Sequence, residues 1–137
     1  MYKKIMVPVD LAHADRLDKA LTTAADLAKH YGAALHYVGV TSPQPGPVAH
    51  NPTEYAEKLD AFAQSEAKKR GLEASCQAYT SHDPAVDLDD TLMKAVEESG
   101  SDLVVMASRL PGLSEHIFAS NAGYLASHAG ISVFVIR

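Results

Sequence analysis

The chain has 137 residues, 47 % apolar and 21 % charged, the balance of one ordinary globule rather than of a disordered or membrane-spanning chain. Its formal charge is −5 and its pI is near 5.7, so no excess of Lys and Arg exists to displace counterions, which argues against nucleic acid as the main partner. One cysteine, Cys76, excludes an internal disulfide and offers no second thiol for a metal site, as suits a reducing cytosol.

Met1-Tyr2-Lys3-Lys4 leads straight into a strand, without the apolar core of a signal peptide, and no run is long enough to span a bilayer, so a cytoplasmic protein is expected. Residues 5–9 (IMVPV) are apolar on both faces, which predicts a strand inside a sheet; Pro8, near its end, helps stop pairing before Asp10. Leu17, Leu21, Ala24, Leu27/Ala28 and Tyr31 recur at helical spacing, and Gly32 ends that helix. Residues 34–40 predict a second strand. Residues 41–52 carry Pro43, Pro45, Pro47 and Pro52 and read as a mobile surface loop.

Tyr55, Leu59, Phe62 and Ala63 predict a second amphipathic helix stopping near Gly71, its Lys68-Lys69-Arg70 run complementing the helix dipole. Residues 73–80 read as a third strand, in which Cys76 is a small packed side chain, and His82-Asp83-Pro84 as a turn. Leu88, Leu92 and Ala95/Val96 mark a third helix ending at Gly100, and residues 103–107 a fourth strand. Ala122, Leu125, Ala126 and Ala129 give a fourth helix with Gly130 just past its end; residues 133–136 close the chain as a fifth strand.

Strict strand–helix alternation implies right-handed crossovers and a mostly parallel α/β sheet covered on both faces, with residues 1–137 forming one domain. Such sheets bind ligands beyond the carboxyl ends of their strands, where strand order reverses. With strand one central and strand four beside it, that crevice falls between Asp10 and Ser108.

The stretch from Asp102 to Arg137 is the most informative. Its strand ends in Ser108-Arg109, a turn follows at Leu110-Pro111-Gly112, and Ser120-Asn121 opens a helix of small residues. Free amides at a helix start, together with the helix dipole, favour an anion there, so the element reads as a phosphate holder. Asp10 could accept a ribose hydroxyl or hold a phosphate-bound Mg²⁺ through water, or cap the next turn. Ser120 is a good N-cap whichever ligand visits it, since capping uses one of about four free donors. Arg109 could fork a phosphate or pair with Glu115 at the surface. The seven histidines are scattered without a ligand-spaced carboxylate partner, so no metal site is expected. No nucleophile elbow, phosphate-loop lysine or Cys–His arrangement supports catalysis.

At this point the residues resemble the universal stress proteins of the small single-domain kind. The opening residues 2–10 (YKKIMVPVD) and residues 102–106 (DLVVM) match the family's first and fourth strands. Ser108, Arg109, Pro111, Ser120, Asn121 and Ala122 follow the spacing of its F- and G-type members, and Ser127-His128-Ala129 with residues 133–137 (VFVIR) match the usual ending. The resemblance implies a Rossmann-like, adenine nucleotide alpha-hydrolase-like sheet in the order 3-2-1-4-5, a homodimer through the last strand and, in many members, bound ATP. In those members, residues at the positions of Pro8, Val9, Asp10 and Val40 surround adenine and ribose. Residues at Ala107, Ser108 and Arg109, and at Ser120, Asn121 and Ala122, hold the phosphates.

The chain departs from that pattern. Ala107 and Ala119 stand where the ATP fingerprint has glycine, His82 replaces a usual glycine, and the third helix reads about one turn, roughly four residues, longer. Ala107 also occurs in F-type members; the Ala119 methyl is the more serious change where a phosphate approaches. The expectation is a cytosolic, homodimeric, ATP-binding regulatory protein, with or without Mg²⁺, that hydrolyses slowly or not at all. The alternatives are an interaction module of the same family that has lost its nucleotide, and a phosphoryl- or adenylyl-transferring enzyme.

Overall fold

The structure, a computed structural model, describes residues 1–108 and 121–137. Its elements are β1 (Lys4–Pro8), a 3-10 segment (Leu11–Arg16), α1 (Asp18–Tyr31), β2 (Ala34–Thr41), α2 (Pro52–Arg70), β3 (Ala74–Thr80), α3 (Pro84–Ser99), β4 (Leu103–Ala107), α4 (Asn121–His128) and β5 (Ser132–Ile136). The five strands form one parallel sheet in the order β3-β2-β1-β4-β5.

Apolar residues on both faces of the inner strands explain the layers. Ile5, Val7, Leu35, Tyr37, Leu103 and Val105 point to the side covered by α1 and α2. Met6, Val38, Val40, Val104 and Met106 point to the side covered by α3 and α4. The Asp102 carboxylate accepts the Lys3 amide at 2.9 and 3.1 Å and the Lys4 amide at 3.1 Å, while its own N–H donates to the Lys4 carbonyl. This staple sets β4 beside β1 and so puts the carboxyl ends of the central strands together.

Three helices stop as the glycines suggest: Gly32, Gly71 and Gly100 take left-handed backbone after α1, α2 and α3. Gly130 does not, and α4 ends two residues before it, at His128. The 3-10 segment was not legible in the apolar pattern, because its start is set by Asp10 capping rather than by periodicity. The proline-rich stretch lies outside helix and strand at the surface, as expected, and is tied down at its far end. Ala49 is buried, the Gly46 amide donates to the Ala49 carbonyl, and Lys58 Nζ donates to the Val48 carbonyl.

The Lys68-Lys69-Arg70 run does more than complement a dipole. Arg70 turns inward, its Nε donating to Glu66 Oε1 at 2.9 Å and its Nη1 to Thr22 Oγ1 of α1 at 3.2 Å. The Asp18 carboxylate lies 3.8 Å from Nη2. This buried pair ties α2 to α1 under the sheet.

On the other face His36 is buried, with Nδ1 2.7 Å from Ser75 Oγ. Burial, with the Lys4 charge adding, pushes its imidazole from 6.5 down to about 4. The unfolded chain therefore takes up this proton first. Stability that His36 leaves intact above about pH 6.5 is lost as pH falls towards about 4. Melting curves across that window should show His36→Gln losing less stability on acidification than the parent chain; parallel losses would remove His36 as a cause.

Candidate functional site

β1 ends at Pro8, the Val9 amide donates to the Val38 carbonyl at 2.8 Å, and the chain then turns at Asp10. The Asp10 carboxylate is held at both oxygens: Oδ1 accepts the Ala12 N–H at 3.2 Å, and Oδ2 lies 2.9 Å from His13 Nδ1. Each carboxylate oxygen can accept more than one hydrogen bond, so these contacts orient the group without exhausting it.

Beside Asp10, over the carboxyl ends of β1 and β2, lies a cavity of about 250 Å³. Asp10, Val40 and Thr41 line it from below, Val48 and its neighbours in the proline-rich stretch form one wall, and Pro84 at the start of α3 closes another side. Tyr55 completes the lining from α2. Local sequence brings it there: Asn51 caps α2, accepting the Glu54 N–H at 2.8 Å, and Pro52 follows at the helix start. The ring then lies on Gly39 of β2, so closely that a Cβ on Gly39 would stand 3.0 Å from Cε1 and nearer still to the hydroxyl oxygen. Burial first, and then the Asp10 charge, raise the Tyr55 phenol, against an opposing hydrogen bond from the Val40 backbone. It therefore stays a neutral O–H near a carboxylate.

The described site residues lie at the ends of β1, β2 and β4 and at the start of α4. Asp10 and Val40 share the cavity. Pro8 and Val9 are buried just before Asp10 and are not part of the cavity lining. Ala107 is buried at the end of β4, paired with Ile136, and both the amide (2.9 Å) and the hydroxyl (3.3 Å) of Ser108 donate to the Ile136 carbonyl. Asn121 is buried with its amide donating to Asp89 of α3, and Ala122 packs in the α3–α4 core. Arg109, Ser120 and Ala119 lie outside the described residues. The described cavity sits on the β1–β2 side of Asp10, and the segment that follows Ser108 lies outside the described residues. Tyr55 was missed as a lining residue because at helical spacing it is indistinguishable from core; a glycine inside an apolar strand was the available signal of a close approach. Among the described residues, no three of His, Cys, Asp and Glu come together as metal ligands, and no helix is long and apolar enough to cross a membrane.

A family model described as the universal stress protein family matches residues 1–137. The chain belongs to the universal stress protein family. Among curated relatives, universal stress protein G of Shigella flexneri is 31 % identical over 144 residues, with 100 % of both chains covered. Among solved structures, a family protein from Burkholderia pseudomallei has 24 % identity and a TM-score of 0.70, covering 98 % of this chain and 96 % of that one. The universal stress protein from Archaeoglobus fulgidus in complex with dAMP has 22 % identity and a TM-score of 0.68, covering 99 % and 98 %. These likenesses extend along the whole length and establish the fold independently of the apolar pattern.

Proposed function

We propose that residues 1–137 form one domain that binds an adenine nucleotide, ATP with or without Mg²⁺, in the cytosol, and that occupancy rather than turnover is its output. The observation that carries this reading is the cavity at the carboxyl ends of β1 and β2, apolar at Val40 and Val48 and bearing the oriented Asp10 carboxylate. Apolar walls with few polar groups suit a base and its sugar. The dAMP complex of the Archaeoglobus neighbour supports the ligand class.

In this reading Pro8, Val9, Asp10 and Val40 attend the base and ribose. Ala107, Ser108, Arg109, Ser120, Asn121 and Ala122 attend the phosphates, whose charge suits a helix start. Cradling donors with one carboxylate hold a nucleotide without being arranged to cleave it. A homodimer through β5 belongs to the same proposal: β5 is an edge strand, and Phe134 on it is 44 % exposed.

Asp10→Ala should leave the fold intact and weaken Mg-ATP binding by about tenfold or more, read by calorimetric titration, since a hydrogen bond to a charged group contributes about 1.5–3 kcal/mol. Unchanged affinity removes this site. The second reading, an interaction module without nucleotide, is favoured by one feature: Ser108 and Asn121 spend their donors inside the chain, on Ile136 and Asp89. Melting separates the two. ATP at one hundred times its dissociation constant adds about 2.7 kcal/mol of stability, and no shift at millimolar Mg-ATP favours the module.

A further inference from the structure

We propose that Tyr55 is a specificity-determining residue of this cavity, its hydroxyl forming with Asp10 a donor–acceptor pair that reads the two hydroxyls of a ribose. The inference rests on the nucleotide reading above and adds a residue and a ligand requirement to it.

Both groups line one cavity, Asp10 just after the end of β1 and Tyr55 on α2, and the Asp10 charge is felt at the phenol. Their chemistry is complementary. Ionised Asp10 only accepts, and its acceptor direction is fixed by the Ala12 amide and His13. The phenol can donate, and burial beside Asp10 keeps its proton on. A lone hydroxyl on a ligand satisfies one of these groups. A vicinal diol satisfies both, one hydroxyl donating to Asp10 and its neighbour accepting from Tyr55.

The ring is also fixed in place. Tyr55 is only 5 % exposed and rests on the bare backbone of Gly39, in a strand held between β1 and β3. Such a phenol reaches a ligand without ordering a loop, and a site built to hydrogen-bond a hydroxyl discriminates against an analogue that lacks it.

The test is calorimetric titration of the full chain and of Tyr55→Phe with ATP, 2′-deoxy-ATP and 3′-deoxy-ATP. Phenylalanine keeps the ring on Gly39 and removes only the oxygen. The parent chain should bind both deoxy analogues more weakly than ATP, about three- to tenfold for the hydroxyl facing Tyr55 and about tenfold or more for the one facing the Asp10 carboxylate, the ranges expected for a lost neutral and a lost charged hydrogen bond. Tyr55→Phe should lose a similar factor for ATP and nothing further for one of the two analogues. Equal affinity of the parent chain for all three, a result that needs no variant, overturns the proposal. So does Tyr55→Phe binding ATP as the parent does. If the parent chain binds none of the three, the nucleotide reading itself fails, an outcome distinct from binding without discrimination.

Discussion

Replacing Arg70 with methionine is expected to remove about 3–5 kcal/mol of folding stability, the usual penalty for stripping one partner from a buried ion pair. The Arg70 and Glu66 side chains are 10 % and 9 % exposed and meet at 2.9 Å. Methionine fills much of the arginine's volume, so the loss comes from the carboxylate left behind. The Glu66 carboxyl is left in a buried site without its donor, and the tie to Thr22 on α1 goes with it. The Tyr37 phenol reports on the same pocket: burial and Glu66 push it up to about 12, with Arg70 pulling the other way. Urea unfolding should show the drop in midpoint. The Glu66→Met/Arg70→Met double variant should recover most of it, because two apolar groups in place of a buried pair are close to neutral. A single variant within about 1 kcal/mol of the parent would mean water reaches the pair, so that it behaves as a surface contact.

Gly39→Ala is the second large effect, and it falls on stability and ligand together. The added methyl would stand 3.0 and 3.1 Å from two carbons of the Tyr55 ring, well inside the ~3.5–4.0 Å of an ordinary carbon contact. β2 cannot retreat, since it is paired on both sides, with β1 and with β3. The ring must therefore move, and the open direction is the cavity of about 250 Å³ that it lines. Overpacking of this kind costs about 1–3 kcal/mol. It should also lower nucleotide affinity by more than Tyr55→Phe does, because the whole ring then competes with the ligand. Combining Gly39→Ala with Tyr55→Phe should relieve part of the clash, since the hydroxyl oxygen is the atom nearest the new methyl. Unfolding midpoints and titrations on the three variants check both halves; an alanine variant as stable as the parent would show that the ring yields at no cost.

The two predictions concern residues that sequence reading treated plainly. Arg70 read as a cation late in a helix, complementing its dipole, and Tyr55 as one more apolar position. Their neighbours in sequence are consistent with those readings. What changes their roles is a segment far away: Thr22 lies 48 residues from Arg70, and Gly39 belongs to a different element from Tyr55. Asp10, by contrast, was legible as a site candidate, because a carboxylate directly after a doubly apolar strand ends at the rim of a parallel sheet wherever the other strands lie.

Hydrophobic periodicity was enough to assign strands and helices and their alternation, for it depends only on which faces of a local element must leave water. The resemblance at the two ends of the chain supplied the strand order that the structure shows. Tertiary structure alone brought Tyr55, Val48 and Pro84 to the cavity beside Asp10 and Val40. It also turned Arg70 inward and gave Asn121 to Asp89. Such contacts arise from the approach of segments distant along the chain, and their geometry depends on how whole elements pack, which spacing along one element does not encode.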